Sequence, residues 1–352
     1  KCGNSNGFTL MQNMQYNNSI KPYPRRFHYV CNSYPKLWPL LTAGILAALS
    51  LSGCQSSLSP DGQTAVTLSE VAHSIFYAPQ YAAIELGYFE EEGIDLTLVN
   101  AGGADKVMTS LISGDAQIGF MGSEASIYVY QEGSDDPAVN FAQLTQRAGN
   151  FLVGRQAEED FKWQDLKGKT VLGGRAGGMP QMVFEYILKK NGLDPVNDLT
   201  IDQSISFGLT AAAFTSSAAD YTIEFEPFAT TLEMEGSGAV VASLGTESGY
   251  VPYTAYSARK SYLKQHPEVI QKLLPMPSRK GLDYVNSHSS EEIAKVISPH
   301  FKETPVDKLA LIVDRYKSQD TWKEDTVFEE NSFTLLKRIF GGSRGIKGRS
   351  PL

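Results

Sequence analysis

From Ala65 onward, short apolar runs alternate with amphipathic stretches. AVTLS (65–69), QIGFM (117–121), FAQLTQ (141–146) and FLVGR (151–155) read as strands, and IDLTLVN (94–100) alternates as a half-buried one. Between them, Pro79–Leu86 closed by Gly87, Ala104–Ser113 closed by Gly114, and Glu124–Gln131 read as helices. Strands follow at Lys169–Gly173, 199–205, Tyr221–Phe225, 239–244 and 253–257. Helices fall at Gly178–Lys190, ended by Asn191-Gly192, and at Phe207–Ser216. Beyond Arg259 the pattern is helical only: to Lys264, then 267–274, 290–297, 305–316 and 329–339. This alternation predicts an α/β fold built from parallel βαβ units, with the helical tail packing back on the first of them.

The N-terminal 53 residues differ in kind. They hold five of the 31 basic residues and none of the 39 acidic ones, so the rest of the chain carries 26 against 39, a net charge of −13. LWPLLTAGILAALSL (37–51) is uncharged but shorter than the roughly 20 residues of a membrane span. Behind the basic flank Arg25, Arg26 and Lys36 it reads as the core of a secretory signal. Leu51-Ser52-Gly53-Cys54 resembles a bacterial lipoprotein signal, which makes Cys54 the expected lipidation site and 54–64 a flexible tether. Cys2 and Cys31 lie in the segment expected to be removed, so the body keeps no cysteine for a disulfide or a thiolate metal site. With 42% hydrophobic and 20% charged residues the body is expected to fold, and its acidity disfavours nucleic acid as a partner.

Candidate chemistry is sparse. The phosphate loop G-x-x-x-x-G-K-[ST], H-E-x-x-H, C-x-x-C and a G-x-S-x-G with a histidine partner are all missing from the sequence. That favours a binder over an enzyme, with no metal and no cofactor. Gly177 and Gly178 close a glycine-rich turn between strand and helix, where backbone approaches a ligand closely. Gly122, Ser123 and Glu124 form a second such turn, with Ser123 as a natural N-cap and Glu124 suited to the helix dipole. Glu224 and Glu226 flank the end of the strand YTIEF; they are expected to face opposite sides, so that only one enters a cleft. Phe76 and Tyr77 either stack on a planar ligand or plug the core, and for His73 a hydrogen-bonded structural role is the plainer one.

Four segments in this order, FYAPQYAAIELGYFEEEGIDLTL (76–98), LISGDAQIGFMGSEA (111–125), LKGKTVLGGRAGGMPQ (166–181) and YTIEFEPFAT (221–230), resemble the solute-binding lipoproteins of ABC importers. The similar subgroup is that for sulfonates, nitrate and thiamine-pyrimidine precursors, and the likeness runs from about Val66 to Phe340. It implies a two-lobed type II periplasmic-binding fold with the cleft between lobes. Lobe 1 would comprise 66–150 plus 253–352 and lobe 2 151–252, with crossings near 149–154 and 250–253. It also implies an extracytoplasmic, lipid-anchored monomer that hands a small molecule to a membrane permease. Carried over, cleft positions are Phe76, Tyr77, Gly122 to Glu124, Gly177, Gly178, and Glu224 or Glu226. The carboxylates favour an aminopyrimidine-like ligand over sulfonate or nitrate. A thiamine-pyrimidine biosynthetic enzyme of the same fold and a sensor lipoprotein are the alternatives. Pro275 and Pro277 interrupt what the family has as one helix, where an interior proline costs about 3 kcal/mol.

Overall fold

A computed structural model describes residues 62–174, 176–205, 208–267 and 275–342, all within one compact unit, Gln55–Leu352. Cys54, the signal segment and Arg175 lie outside the described residues.

Among the described residues, ten strands form two five-stranded sheets. The first contains β1 (Thr64–Glu70), β2 (Ile94–Asn100), β3 (Ile118–Gly122), β4 (Ala138–Thr145) and β10 (Thr254–Arg259), in the order β2-β1-β3-β10-β4. The second contains β5 (Asn150–Gly154), β6 (Thr170–Leu172), β7 (Thr200–Asp202), β8 (Tyr221–Phe225) and β9 (Ala239–Ser243), in the order β7-β6-β8-β5-β9. The three strands β2-β1-β3 run parallel, as do β7-β6-β8. The expectation of purely parallel units fails at β10, antiparallel to β3 and β4, and at β5, antiparallel to β8 and β9. The physical reason is that these strands enter their sheets from the other sheet rather than through a helical crossover. The chain changes sheet between Thr145 and Asn150 and again between Ser243 and Thr254, the second passage including a short helix, Leu244–Ser248. The first change falls just ahead of the expected segment because Asn150 already pairs with Phe225 in the second sheet.

Local signals set the element ends. The helix Ala104–Ser113 buries Val107, Met108 and Leu111 on one face and stops at Gly114, whose φ of +88° suits a residue without Cβ. Met179–Lys190 carries proline in its first turn and Lys189 and Lys190 in its last, where they meet the negative end of the dipole. A helix is described over Pro275–Ser287, with Pro275 and Pro277 at its described start; the expected helix 267–274 lies outside the described residues from 268 on. Helices at Tyr88–Glu91 and Phe228–Met234 had no clear sequence signal, being short and weakly periodic.

One apolar core runs through both sheets and between them. Phe120 stacks on Tyr256 at 4.3 Å in the first sheet, and Phe76, Phe225, Tyr253 and Tyr316 meet where the sheets approach. Among the described residues no helix is long and apolar enough to cross a membrane.

Candidate ligand-binding site

A cleft opens where the carboxyl ends of strands from both sheets converge, the place open α/β sheets reserve for ligands. From the first sheet it receives Val71 and Ala72 after β1, Gly103 and Ala104 after β2, Gly122 and Glu124 at the end of β3, and Thr254 of β10. The second sheet contributes Gly178, Met179 and Pro180 after β6, and Phe225 at the end of β8. Ser74, Phe76, Tyr77 and Tyr253 complete the wall. The free volume is about 60 Å³ and most of the lining is apolar, so the cleft is nearly shut. A larger groove of about 690 Å³ lies between the helices Glu124–Gln131 and Glu330–Gly342 and strand β4, but it is more open and takes nothing from the second sheet.

The structure thus brings together Phe76, Tyr77, Gly122, Glu124 and Gly178. Phe76 and Tyr77 are buried core residues, as one reading expected, and they also line the cleft wall. Ser74 shapes their turn: its hydroxyl accepts from the Phe76 amide at 3.3 Å and donates to the Glu226 carbonyl at 3.2 Å, joining the two sides of the cleft. Gly149 is required beside them, since a Cβ there would lie 2.5 Å from the Phe76 ring. Gly122 has a similar reason. Its missing Cβ leaves the space, 2.0 Å from an ideal Cβ, that the Glu124 carboxylate fills. Burial, together with the Glu70 and Glu124 carboxylates, raises the Tyr77 phenol above its ordinary range. The Tyr253 phenol is raised by burial and by Glu124, and it donates to Asn150 Oδ1 at 2.7 Å. Burial and the neighbouring carboxylates, Glu124 among them, together shape the electrostatics of this wall.

The remaining candidates sit elsewhere. Ser123 begins the helix Glu124–Gln131, but its side chain does not cap it; the hydroxyl donates instead to the Pro252 carbonyl. Gly177 has a φ of +75° and stands beside the cleft, and its N–H donates to Gln181 Oε1 at 2.7 Å, so that donor is already engaged. Its carbonyl accepts from Tyr128 across the opening at 3.3 Å. Glu224 and Glu226 do part company, but strand alternation is not the cause, because residues two apart on a strand share a face. The strand ends at Phe225, and the chain turns before Glu226. Glu224 faces a separate small cavity of about 20 Å³ and accepts from Thr222 at 2.6 Å and Thr210 at 3.0 Å. Burial nevertheless pushes its carboxyl up to about 7. Glu226 accepts from Thr230 and pairs with Arg315 at 2.5 Å. Neither carboxylate borders the main cleft.

Sequence reading passed over Tyr253, Thr254, Ala104, Met179 and Pro180. The rule that ligands meet strand ends points to Ala104, Met179 and Pro180 once β2 and β6 are identified. Tyr253 and Thr254 have no such signal, because they arrive on a strand whose direction is set by the other sheet. His73 has the structural role expected: Nδ1 faces buried Glu70 at 2.9 Å and Nε2 the His300 carbonyl at 2.9 Å.

Comparison with known proteins agrees with this arrangement. The family model described as "NMT1/THI5 like" matches residues 75–292. A protein of Bacillus subtilis (strain 168) named "Putative binding protein YtlA" is 42% identical over 320 residues, spanning 91% of this chain and 95% of its own. Among solved structures, the alkanesulfonate-binding protein SsuA of Xanthomonas axonopodis pv. citri, bound to MOPS, superposes with a TM-score of 0.62 at 16% identity, over 82% of this chain and 96% of that one. The periplasmic nitrate-binding protein NrtA of Synechocystis PCC 6803 gives 0.58 at 17%, over 77% and 74%. At these identities the structural likeness speaks to the fold, a two-lobed periplasmic-binding fold with the cleft between its lobes. The family match across most of the body, together with a full-length relative at this level of identity, establishes that the chain belongs to the NMT1/THI5-like family.

Proposed function

We propose that this protein is the extracytoplasmic solute-binding component of an ABC importer, anchored to the membrane through lipid on Cys54. It captures a small organic ligand by closure of its two lobes, delivers it to a permease, and performs no chemistry on it. The observation that carries the proposal is the convergence of Phe76, Tyr77, Gly122, Glu124 and Gly178 in one cleft fed by strand ends of both sheets. Separate lobes meeting at strand ends suit capture by hinge closure. The relatives' names support the class: one is a binding protein, and the solved neighbours bind an alkanesulfonate and nitrate.

For the ligand, we favour an amino-substituted pyrimidine of the thiamine-precursor type over either anion. Phe76, Tyr77, Phe225 and Tyr253 offer ring faces and edges to a flat heterocycle. Glu124 is placed to accept from an exocyclic amino group or a protonated ring nitrogen, and a carboxylate facing an anion in a closed cleft is costly. Because Glu226 is held by Arg315 and Glu224 faces another cavity, Glu124 inherits the role considered for those two. Calorimetry with an aminopyrimidine, taurine and nitrate tests this directly. The pyrimidine should bind, and Glu124→Gln should weaken it by roughly 10- to 100-fold, the worth of a hydrogen bond to a charged group. Binding of either anion with none of the pyrimidine would sink the ligand assignment while leaving the transport role standing.

A further inference from the structure

The cleft is not the sole place where the lobes meet, and the helix Val306–Ser318 has a face that looks away from its own packing partners. Leu309, Ile312, Val313 and Tyr316 are buried, and the helix lies against Ser290–Ile297, which in turn packs on Ala78–Glu85 beside the first sheet. Lys308 and Arg315, seven residues apart and so on one face, point to the second sheet's side. Arg315 forks between two carboxylates there: Nη1 to Glu226 Oε1 at 2.5 Å and Nη2 to Glu233 Oε2 at 2.6 Å. It also lies over the Phe151 ring of β5 at 5.4 Å. Lys308 Nζ donates to Thr231 Oγ1 at 2.7 Å. Glu226, Thr231 and Glu233 all lie at or in the helix Phe228–Met234 that follows β8.

We infer that Arg315 is a latch between the lobes, a positioning residue outside the cleft that holds the closed arrangement by gripping Glu226 and Glu233. Three observations bear on it. Glu226 is fully buried, and its carbonyl also receives the Ser74 hydroxyl, so the residue Arg315 grips is the one tied to the cleft wall beside Phe76. The planar guanidinium offers a separate nitrogen to each of the two carboxylates, a fixed fork that a single ammonium lacks. The segment after the helix is tied to both crossovers instead. Gln319 donates to the Ala148 carbonyl at 3.1 Å and accepts from Ser243 at 2.6 Å, while Asp320 accepts from Gln146 at 3.1 Å and Tyr250 at 2.6 Å. Residues 319–320 therefore stay with the crossovers, whereas on this inference the Arg315 grip on Glu226 and Glu233 is released when the lobes part.

The test uses ligand-free full-length protein, so it does not depend on which solute binds. Small-angle scattering gives the radius of gyration, and hydrogen exchange reports peptides covering 226–235 against peptides covering the crossovers at 146–148 and 250–253. Arg315→Met should raise the radius of gyration and speed exchange at 226–235 while the crossover peptides stay protected. Arg315→Lys should restore the compact form in part, because it regains one carboxylate. Glu233→Gln, which leaves the buried Glu226 paired, should open the protein to an intermediate degree and serves as the decisive variant if Arg315→Met fails to fold. Folded Arg315→Met or Glu233→Gln protein with wild-type dimensions and wild-type exchange at 226–235 would overturn the latch. Loss of protection in all peptides together would overturn it as well, by showing general destabilisation in place of lobe opening.

Discussion

At the scale of single residues, the carboxylates show how neighbours assign different work to one chemical group. Glu124 fills the space left by a glycine and faces a cleft; Glu226 is neutralised by an arginine; Glu224 is buried against two threonine hydroxyls. Hydroxyl donors offset only part of the desolvation, so the Glu224 carboxyl titrates near 7 where an unfolded chain would titrate near 4.5. A folded-state value raised above the unfolded one contributes stability that is present below about pH 4.5 and lost as pH rises through about 7. The difference corresponds to about 3 kcal/mol. Glu224→Gln keeps the shape and hydrogen-bonding capacity without the charge. Chemical denaturation of the variant from pH 4 to 8 should therefore lack the decline in stability that Glu224 imposes on the wild type. An identical pH dependence in both proteins would mean that Glu224 titrates in the folded state as it does in the unfolded chain.

Among elements, close approach depends on small residues at particular contacts. The helices Ala78–Glu85 and Pro275–Ser287 pack together. They meet at Gly281, where a Cβ would lie 2.1 Å from the Pro79 carbonyl oxygen and 3.1 Å from the Ala83 Cβ. Backbone on the opposing side cannot swing away as a long side chain can. Gly281→Ala should accordingly cost about 1–3 kcal/mol, the range for overpacking, despite the better helix propensity of alanine. A thermal melt checks the sign: a variant as stable as wild type or more so would show that the two helices separate freely. The same logic joins the two crossovers. Gly245 packs with an ideal Cβ position 2.3 Å from the Ala148 carbonyl oxygen, and Arg147 Nη1 donates to the Gly245 carbonyl at 3.1 Å. The two crossovers are thus held side by side.

For the whole molecule, the proposed anchoring and transport belong together, since a receptor tethered at the membrane keeps its cargo near the permease. The tether expected at 54–64 would leave the folded body, beginning at β1, free to reorient. Each buried acyl CH₂ contributes about 0.8 kcal/mol, and two or more chains give stable attachment. Replacement of the lipid-accepting thiol, Cys54→Ala, should shift the protein from the membrane pellet to the soluble fraction or leave the precursor uncleaved. Unchanged fractionation with normal cleavage would remove lipid on Cys54 from the account. The two sheets share a plan: three parallel strands, then one antiparallel neighbour entered directly from the other sheet, then an edge strand. The first sheet is completed only by β10 from beyond the second passage, whereas the second sheet is built wholly from the chain between the two passages.

The sequence by itself determined the α/β class, all ten strands within a few residues, most helices, and five residues of the cleft. It could do so because period, glycine stops and strand-to-helix turns are local, and because the family pattern is carried by contiguous motifs such as GYFEEEGIDL and SGDAQIGFMG. Strand direction was decided only in three dimensions: nothing in YTAYS distinguishes β10, antiparallel between β3 and β4, from another parallel strand. Carboxylate roles were decided there too. Glu224 and Glu226 are two residues apart and chemically alike, and what separates them is Arg315, about ninety positions away in the chain. Ser123 has the residue type of a cap, yet the Pro252 carbonyl claims its hydroxyl. In each instance the deciding partner arrives from a distant segment, and a linear pattern records which groups a residue offers but not which group folding brings to meet it.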